Sequence, residues 1–154
     1  MIRLMHDLGL RRAEVVSLDV ADVDLKGGRV LVMGKGKLEK LALTLPDPTR
    51  EAIATWLGHR GITPGELFVS FDRAGKGDGR MTGAAVYQLL AALSEDAGID
   101  RVKPHGLRHQ AVTEALNDYN GDIRKVQRFS RHSDVRVLQR YDDCRLDHAG
   151  EVAA

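Results

Sequence analysis

Apolar residues recur at helical spacing over most of the chain and switch to alternation over one short stretch near its start. Residues 2–8 read as the last turns of a helix stopped by Gly9, since glycine tolerates the left-handed conformation that closes a helix. Ala13, Val16, Leu18 and Val20 give a second short apolar face, and a turn follows at Asp22 and Asp24. Between residues 23 and 45 the period falls to two: residues 29–33 (Arg-Val-Leu-Val-Met) and 41–45 (Leu-Ala-Leu-Thr-Leu) read as strands. Tight turns at residues 26–28 and 34–37 punctuate them, which predicts a small three-stranded antiparallel sheet. Pro46 and Pro48 end the sheet, and Pro48 opens a helix through Trp56 and Leu57 to His59, with Gly61 as its stop. Residues 66–70 read as extended and residues 71–80 as a mobile, glycine-rich loop. Thr82 caps a helix whose Val86, Leu89, Leu90 and Leu93 repeat at three and four, closed by Gly98. Helices are predicted over residues 105–119, started by Pro104, and over residues 123–130 after an Asn-Gly-Asp turn; a last one runs from about Asp134 to Tyr141. The expected class is α+β, mainly helical with one small three-stranded antiparallel sheet.

Composition narrows the setting more than the chemistry. At 154 residues and 43% hydrophobic, the chain is long enough for one domain with a real core. Its net charge of +1 is far from the strongly basic balance that by itself announces a nucleic-acid binder. Arginines nevertheless crowd the C-terminal half, at Arg124, Arg128, Arg131, Arg136, Arg140 and Arg145. The single cysteine, Cys144, excludes an internal disulfide framework. No stretch approaches the ~20 apolar residues of a membrane span, and the N-terminus has no charged-then-apolar signal pattern. A soluble, reducing, cytoplasmic setting is expected.

Four short motifs carry candidate chemistry. His105 and Arg108 lie three apart on a predicted helix and share a face, with His109 beside them. Arg11 follows Gly9 where one helix stops and the next begins, with Glu14 one turn later. A guanidinium fixed by a carboxylate at such a boundary suits bidentate phosphate recognition. Gly34-Lys35-Gly36-Lys37 lies on a hairpin tip; it lacks the spacing and the following helix of a nucleotide-binding P-loop, but a lysine there can reach into a neighbouring groove as a cation or proton donor. Finally, the run from Ser130 through Arg131 to His132 is followed by Tyr141, nine positions after the histidine. Taken singly, each has a bland explanation: a capping histidine, an exposed ion pair, a solubilising lysine, a packed tyrosine.

In this order and context the four motifs resemble the tyrosine recombinase (phage integrase) family, with the Xer-like spacing from Arg11 to Lys35. The likeness spans residues 8–143 and implies the family's catalytic domain over residues 1–154, without the N-terminal DNA-clamping domain, with a truncated first helix and with a curtailed C-terminal docking helix. It implies a site-specific recombinase that cleaves and rejoins DNA through a 3′-phosphotyrosyl intermediate. A type IB topoisomerase-like nicking and religating enzyme, or a truncated integrase that only binds DNA, are the alternatives.

The resemblance also assigns roles. Tyr141 is the nucleophile, and a phenol with pKa ~10 needs its proton accepted or its charge stabilised as it attacks. His105 is the expected base, Arg11 and Arg108 grip the non-bridging phosphate oxygens, and His132 adds a hydrogen bond. Lys35 is the expected acid for the departing 5′-oxygen; Glu14 orients Arg11 or its neighbours, and His109 packs or hydrogen-bonds behind the site. No metal or other cofactor is implied. The implied partners are double-stranded DNA and further recombinase subunits, a tetramer on paired sites for a full-length protein, with no membrane and no small-molecule cofactor. Two residues depart from the family wording. Arg131 stands where many members have glycine, and its side chain is expected to point outward. Leu38 stands where a second polar residue is usual, which leaves Lys37 as a competitor to Lys35.

Overall fold

The computed structural model describes residues 1–70 and 79–143, without the side chains of Arg140, Asp142 and Asp143. Most of the expected glycine-rich loop (residues 71–78), together with Cys144 and Arg145, lies outside the described residues. Seven α-helices and one three-stranded sheet are found among the described residues. Helix α1 (Ile2–Asp7) ends at Gly9, whose φ of 54° is left-handed. A side chain could not replace that glycine easily, because a Cβ there would sit 3.3 Å from the Phe129 ring. Helix α2 (Arg12–Val16) follows at once, and a 3₁₀ turn (Val20–Asp22) leads into the sheet.

The sheet is antiparallel in the order β1 (Val23–Asp24), β2 (Arg29–Met33), β3 (Lys40–Thr44), with Val30 opposite Leu43 and Val32 opposite Leu41. Val30 and Val32 are buried while Arg29 and Leu31 are exposed, which is the period-two pattern of a sheet wet on one face. Strand β3 begins one residue earlier than its sequence suggests. Leu45 leaves the sheet to fill the core, and its N–H donates to the Gly28 carbonyl at 2.8 Å.

Helix α3 (Asp47–Arg60) starts one residue ahead of Pro48, which is tolerated because a first-turn residue needs no N–H partner within the helix. Helix α4 (Gly83–Asp96) is capped by Thr82, whose hydroxyl accepts from the Ala85 N–H at 3.1 Å. Helices α5 (Pro104–Asp118) and α6 (Ile123–Ser130) follow the expected order, the second capped by the Asp122 carboxylate. Helix α7 (Arg136–Asp143) starts later than expected. Asp134 stays outside it, with its carboxylate accepting the Arg136 N–H at 2.9 Å.

Two apolar clusters organise these elements. The larger joins Leu4, Met5, Leu10, Val15, Val30, Val32, Ile53, Leu67 and Val86, from α1 through α4. The smaller joins Val112 and Leu116 of α5, Val126 of α6 and Leu138 of α7, with Tyr141 packed against it. Helix α1 packs along α5, and polar groups reinforce the seam: His6 lies 3.0 Å from Asp7 and 3.2 Å from Glu114 of α5, while the buried Thr49 hydroxyl of α3 donates to Asp7. The α1–α2 junction, held from both sides in this way, is where the candidate site is built.

Candidate active site

Arg11 precedes α2 with extended backbone, and its N–H donates to Glu14 Oε2 at 2.9 Å. Its guanidinium Nη1 donates to Glu14 Oε1 at 2.8 Å, so backbone and side chain close a box at the helix start. Glu14 is 4% exposed and is held again from the opposite side by Arg131 Nη2, 3.1 Å from Oε2. Burial pushes the Glu14 carboxyl upward, but the Arg11 N–H and guanidinium and the Arg131 charge more than offset it, leaving the group below its ordinary value.

The expectation that Arg131 points outward is corrected here. Its side chain is only 12% exposed and turns inward. Nη1 donates to the carbonyls of Leu8 (3.1 Å) and Phe129 (3.0 Å), and Nη2 to that of Gly9 (3.1 Å) as well as to Glu14. The cause lies in the backbone. Arg131 closes α6 in the left-handed conformation, φ 56°, and its N–H donates to Gln127 at 2.8 Å. That turn aims the side chain back at the α1–α2 junction.

Arg108 is 3% exposed on α5 and reaches the same junction. Its fork donates to the carbonyls of Gly9 and Ser130, and Nη2 lies 3.3 Å from His132 Nε2. Burial, followed by the charges of Arg11 and Arg131, pushes Arg108 down to about 10, so it stays cationic at neutral pH. His132 Nδ1 lies 2.8 Å from the hydroxyl of the fully buried Ser130. Burial, then Arg108, Arg11 and Arg131, push His132 down to about 4, which leaves its imidazole neutral near pH 7.

These groups border two adjoining hollows that share Arg11 and His132. One, of about 540 Å³, opens toward the hairpin and is lined by Lys35, Lys37 and Arg131. The other, of about 410 Å³, is lined by His105, Arg108 and Tyr87. Arg11, Lys35, His105, Arg108 and His132 thus come together around one concave surface. Tyr141 joins from α7, its ring centroid 6.2 Å from that of His132 and 4.4 Å from that of His109. His109 is exposed on α5 and packs on the tyrosine ring rather than behind the arginines. Lys35 and Lys37 both line the larger hollow, so the hairpin leaves both candidates in place.

Ser130 and Arg131 are the site residues that sequence reasoning did not single out for a role. An arginine at a helix end where glycine is usual was the available signal, but its direction depends on a left-handed φ that no spacing rule supplies. Among the described residues, no three His, Cys, Asp or Glu side chains gather as metal ligands would.

The domain is mainly helical with a lysine-tipped hairpin, and its arginines and neutral histidine border one concave surface beside the tyrosine-bearing helix. The phage integrase family profile matches residues 1–147, and the chain belongs to that family. It is 44% identical to a tyrosine recombinase of Synechocystis over 98% of this chain and 49% of that protein. It is 30% identical to the tyrosine recombinase XerC of Actinobacillus pleuropneumoniae over 99% of this chain and 49% of that protein. Its fold is similar to a crystal structure of XerA recombinase, with TM-score 0.75 and 30% identity over 90% of this chain and 49% of that one. It is also similar to the XerH site-specific recombinase bound to palindromic difH substrate in a post-cleavage complex, with TM-score 0.77 and 25% identity over 99% of this chain and 43% of that one. The chain spans about half the length of the curated relatives it matches.

Proposed function

We propose that this chain carries the strand-transfer chemistry of a site-specific recombinase, cleaving double-stranded DNA by attack of Tyr141 and rejoining it to a partner strand. The observation that carries the reading is the gathering of Arg11, Arg108 and His132 around one hollow with Tyr141 beside it. The recombinase names of the relatives support it, and so does the DNA held by a neighbour of similar fold.

The scissile phosphate sits at the shared wall of the two hollows. Arg108 has five N–H donors, of which three are directed to Gly9, Ser130 and His132; the rest are available to a non-bridging oxygen. Arg11 offers a second fork from the other side, and preorganised donors of this kind each contribute about 100- to 1000-fold. His132, neutral near pH 7, adds a hydrogen bond without adding charge once its proton sits on Nε2, which exchanges Arg108 for a phosphate oxygen while Nδ1 accepts from the Ser130 hydroxyl. The Tyr141 proton passes to His105 as the phenolic oxygen attacks phosphorus. The 5′-oxygen leaves with a proton from the hairpin, Lys35 being the first candidate and Lys37 the second. The product is a 3′-phosphotyrosine and a free 5′-hydroxyl, and attack by a partner strand's 5′-hydroxyl reverses the sequence. The phosphate ester bond is conserved throughout, so no nucleotide cofactor is consumed. Other recombinase subunits on paired sites and a cytoplasmic location belong to this same reading.

The test is a nicked duplex whose cleavage is irreversible because the short strand diffuses away. The protein should form a covalent adduct with it, unaffected by EDTA, and Tyr141→Phe should form none. Adducts surviving in Tyr141→Phe would place the nucleophile elsewhere.

A further inference from the structure

Two guanidinium groups, Arg11 and Arg131, pair with the Glu14 carboxylate at the α1–α2 junction and a third, Arg108, reaches the adjoining Gly9 carbonyl, so the cluster of Arg11, Arg108, Arg131 and Glu14 keeps two positive charges. Without Arg131 the geometry would read differently. Glu14 would be matched by Arg11 alone, and the charge of Arg11 would be spent on a buried carboxylate. With Arg131 on Oε2, Arg11 shares that carboxylate rather than neutralising it.

Arg131 also anchors the parts that aim the other two arginines. Its Nη2 donates to the Gly9 carbonyl, the same oxygen that accepts from Arg108. Its own carbonyl lies 3.5 Å from Arg11 Nη2. The residue before it, Ser130, gives its carbonyl to Arg108 and its hydroxyl to His132. One left-handed residue therefore touches, directly or through a shared acceptor, Arg11, Arg108 and His132. Holding a non-glycine residue at φ 56° carries a steric cost that a glycine would avoid. The side chain is what the position gains in return.

We propose that Arg131 is a positioning residue of the strand-transfer site: it takes up Glu14 and Gly9 so that Arg11 and Arg108 face the phosphate in fixed register with charge to spare. The proposal rests on the strand-transfer reading above. Arg131 lines the larger hollow, but its Nη1 and Nη2 groups donate to protein atoms and its Nε is buried, so its action on the phosphate runs through its neighbours.

Three variants separate charge from scaffold. Arg131→Gly suits the left-handed backbone and removes the whole fork; Arg131→Gln keeps polar reach without charge; Arg131→Lys keeps charge without the fork. The first readout is the rate of adduct formation at saturating nicked duplex, beside the Kd of a Tyr141→Phe background for the same duplex. Arg131→Gly and Arg131→Gln should slow the reaction about 10- to 100-fold while shifting Kd no more than about threefold. Arg131→Lys should recover part of the rate.

The second readout is an NMR titration of the His132 ring. That ring faces Arg108 and His105 of α5, Arg11, Arg131, Tyr141 of α7, and the hairpin lysines Lys35 and Lys37. Removing one of these cations should move its midpoint upward in Arg131→Gly and Arg131→Gln and leave it near its original place in Arg131→Lys. A reaction rate within about twofold of the parent in Arg131→Gly, or a His132 midpoint unmoved in both neutral variants, would overturn the proposal. Should the parent protein give no adduct, the strand-transfer reading fails, and the His132 titration still decides whether Arg131 sets the field of the site.

Discussion

Glu14 concentrates the energetics of the site in one carboxylate. It is buried, accepts from Arg11 twice and from Arg131 once, and lies below its ordinary pKa despite burial. Glu14→Gln keeps an acceptor but leaves two guanidinium groups facing each other, a change worth about 3 kcal/mol of stability. Denaturant melts at pH 7 should register that loss. Acid acts on the site in a second way. His132 has its ordinary value of 6.5 when unfolded and about 4 when folded, so the folded state resists taking up the proton. The stability this contributes is complete above about pH 6.5 and is lost as pH falls toward 4. Melts of the parent and of His132→Gln at pH 7 and pH 5 should therefore diverge, the parent losing more on acidification; equal losses would mean that His132 is as free to protonate folded as unfolded. The helical period alone puts His105 and Arg108 on one face, and Gly9 marks Arg11 as a boundary residue. The inward turn of Arg131 follows instead from packing against a junction that lies about 120 residues away in the chain, beyond the reach of local spacing.

At the scale of elements, the β2–β3 hairpin and helix α7 bring their chemistry to a site built by others. The hairpin is held by alternation at its base, Val30 and Val32 buried, and its tip projects Lys35 and Lys37 into the larger hollow while Leu38 is 98% exposed. Helix α7 is anchored by Leu138, the one fully buried side chain among its described residues, with Tyr141 packed on the same small cluster. Both elements were legible as periodicity, and their ends were not. A particular contact decides where strand β3 ends and where helix α7 begins: Leu45 turning into the core, Asp134 capping from outside. The two lysines are separable by chemistry. An acid matters only when the leaving oxygen is a strong base, so replacing the bridging 5′-oxygen by sulfur removes the need for it. Lys35→Ala should cleave slowly on ordinary DNA and recover on the 5′-phosphorothiolate, whereas Arg11→Ala should stay slow on both because it loses charge stabilisation. Recovery of Lys37→Ala in place of Lys35→Ala would move the acid to Lys37.

At the scale of the whole molecule the charge balance is nearly even, +1 over 154 residues, yet cations are gathered on one concave surface. Much of the remaining charge is taken up locally: Lys40 with Asp22, Arg50 with Asp47, Arg80 with Asp19. On the proposed strand-transfer reading, long-range attraction to DNA is therefore expected to be weak, with binding set by the few cations that reach phosphates directly. Each neutralised phosphate releases condensed counterions, which gives a slope of about −0.9 per contact in a plot of log K against log salt. Taking Arg11, Arg108, Lys35 and Lys37 as the contacts of the described site, the slope should be about −3.6, and a tenfold rise in salt should weaken binding roughly 4000-fold. Lys35→Ala and Lys37→Ala should each make the slope shallower by about 0.9, and Lys26→Ala, in the turn between β1 and β2, should leave it unchanged. A slope near zero in the Tyr141→Phe background, or one that Lys26→Ala lowers as much as Lys35→Ala does, would mean that DNA is held on a surface other than the hollow between the hairpin and the arginines.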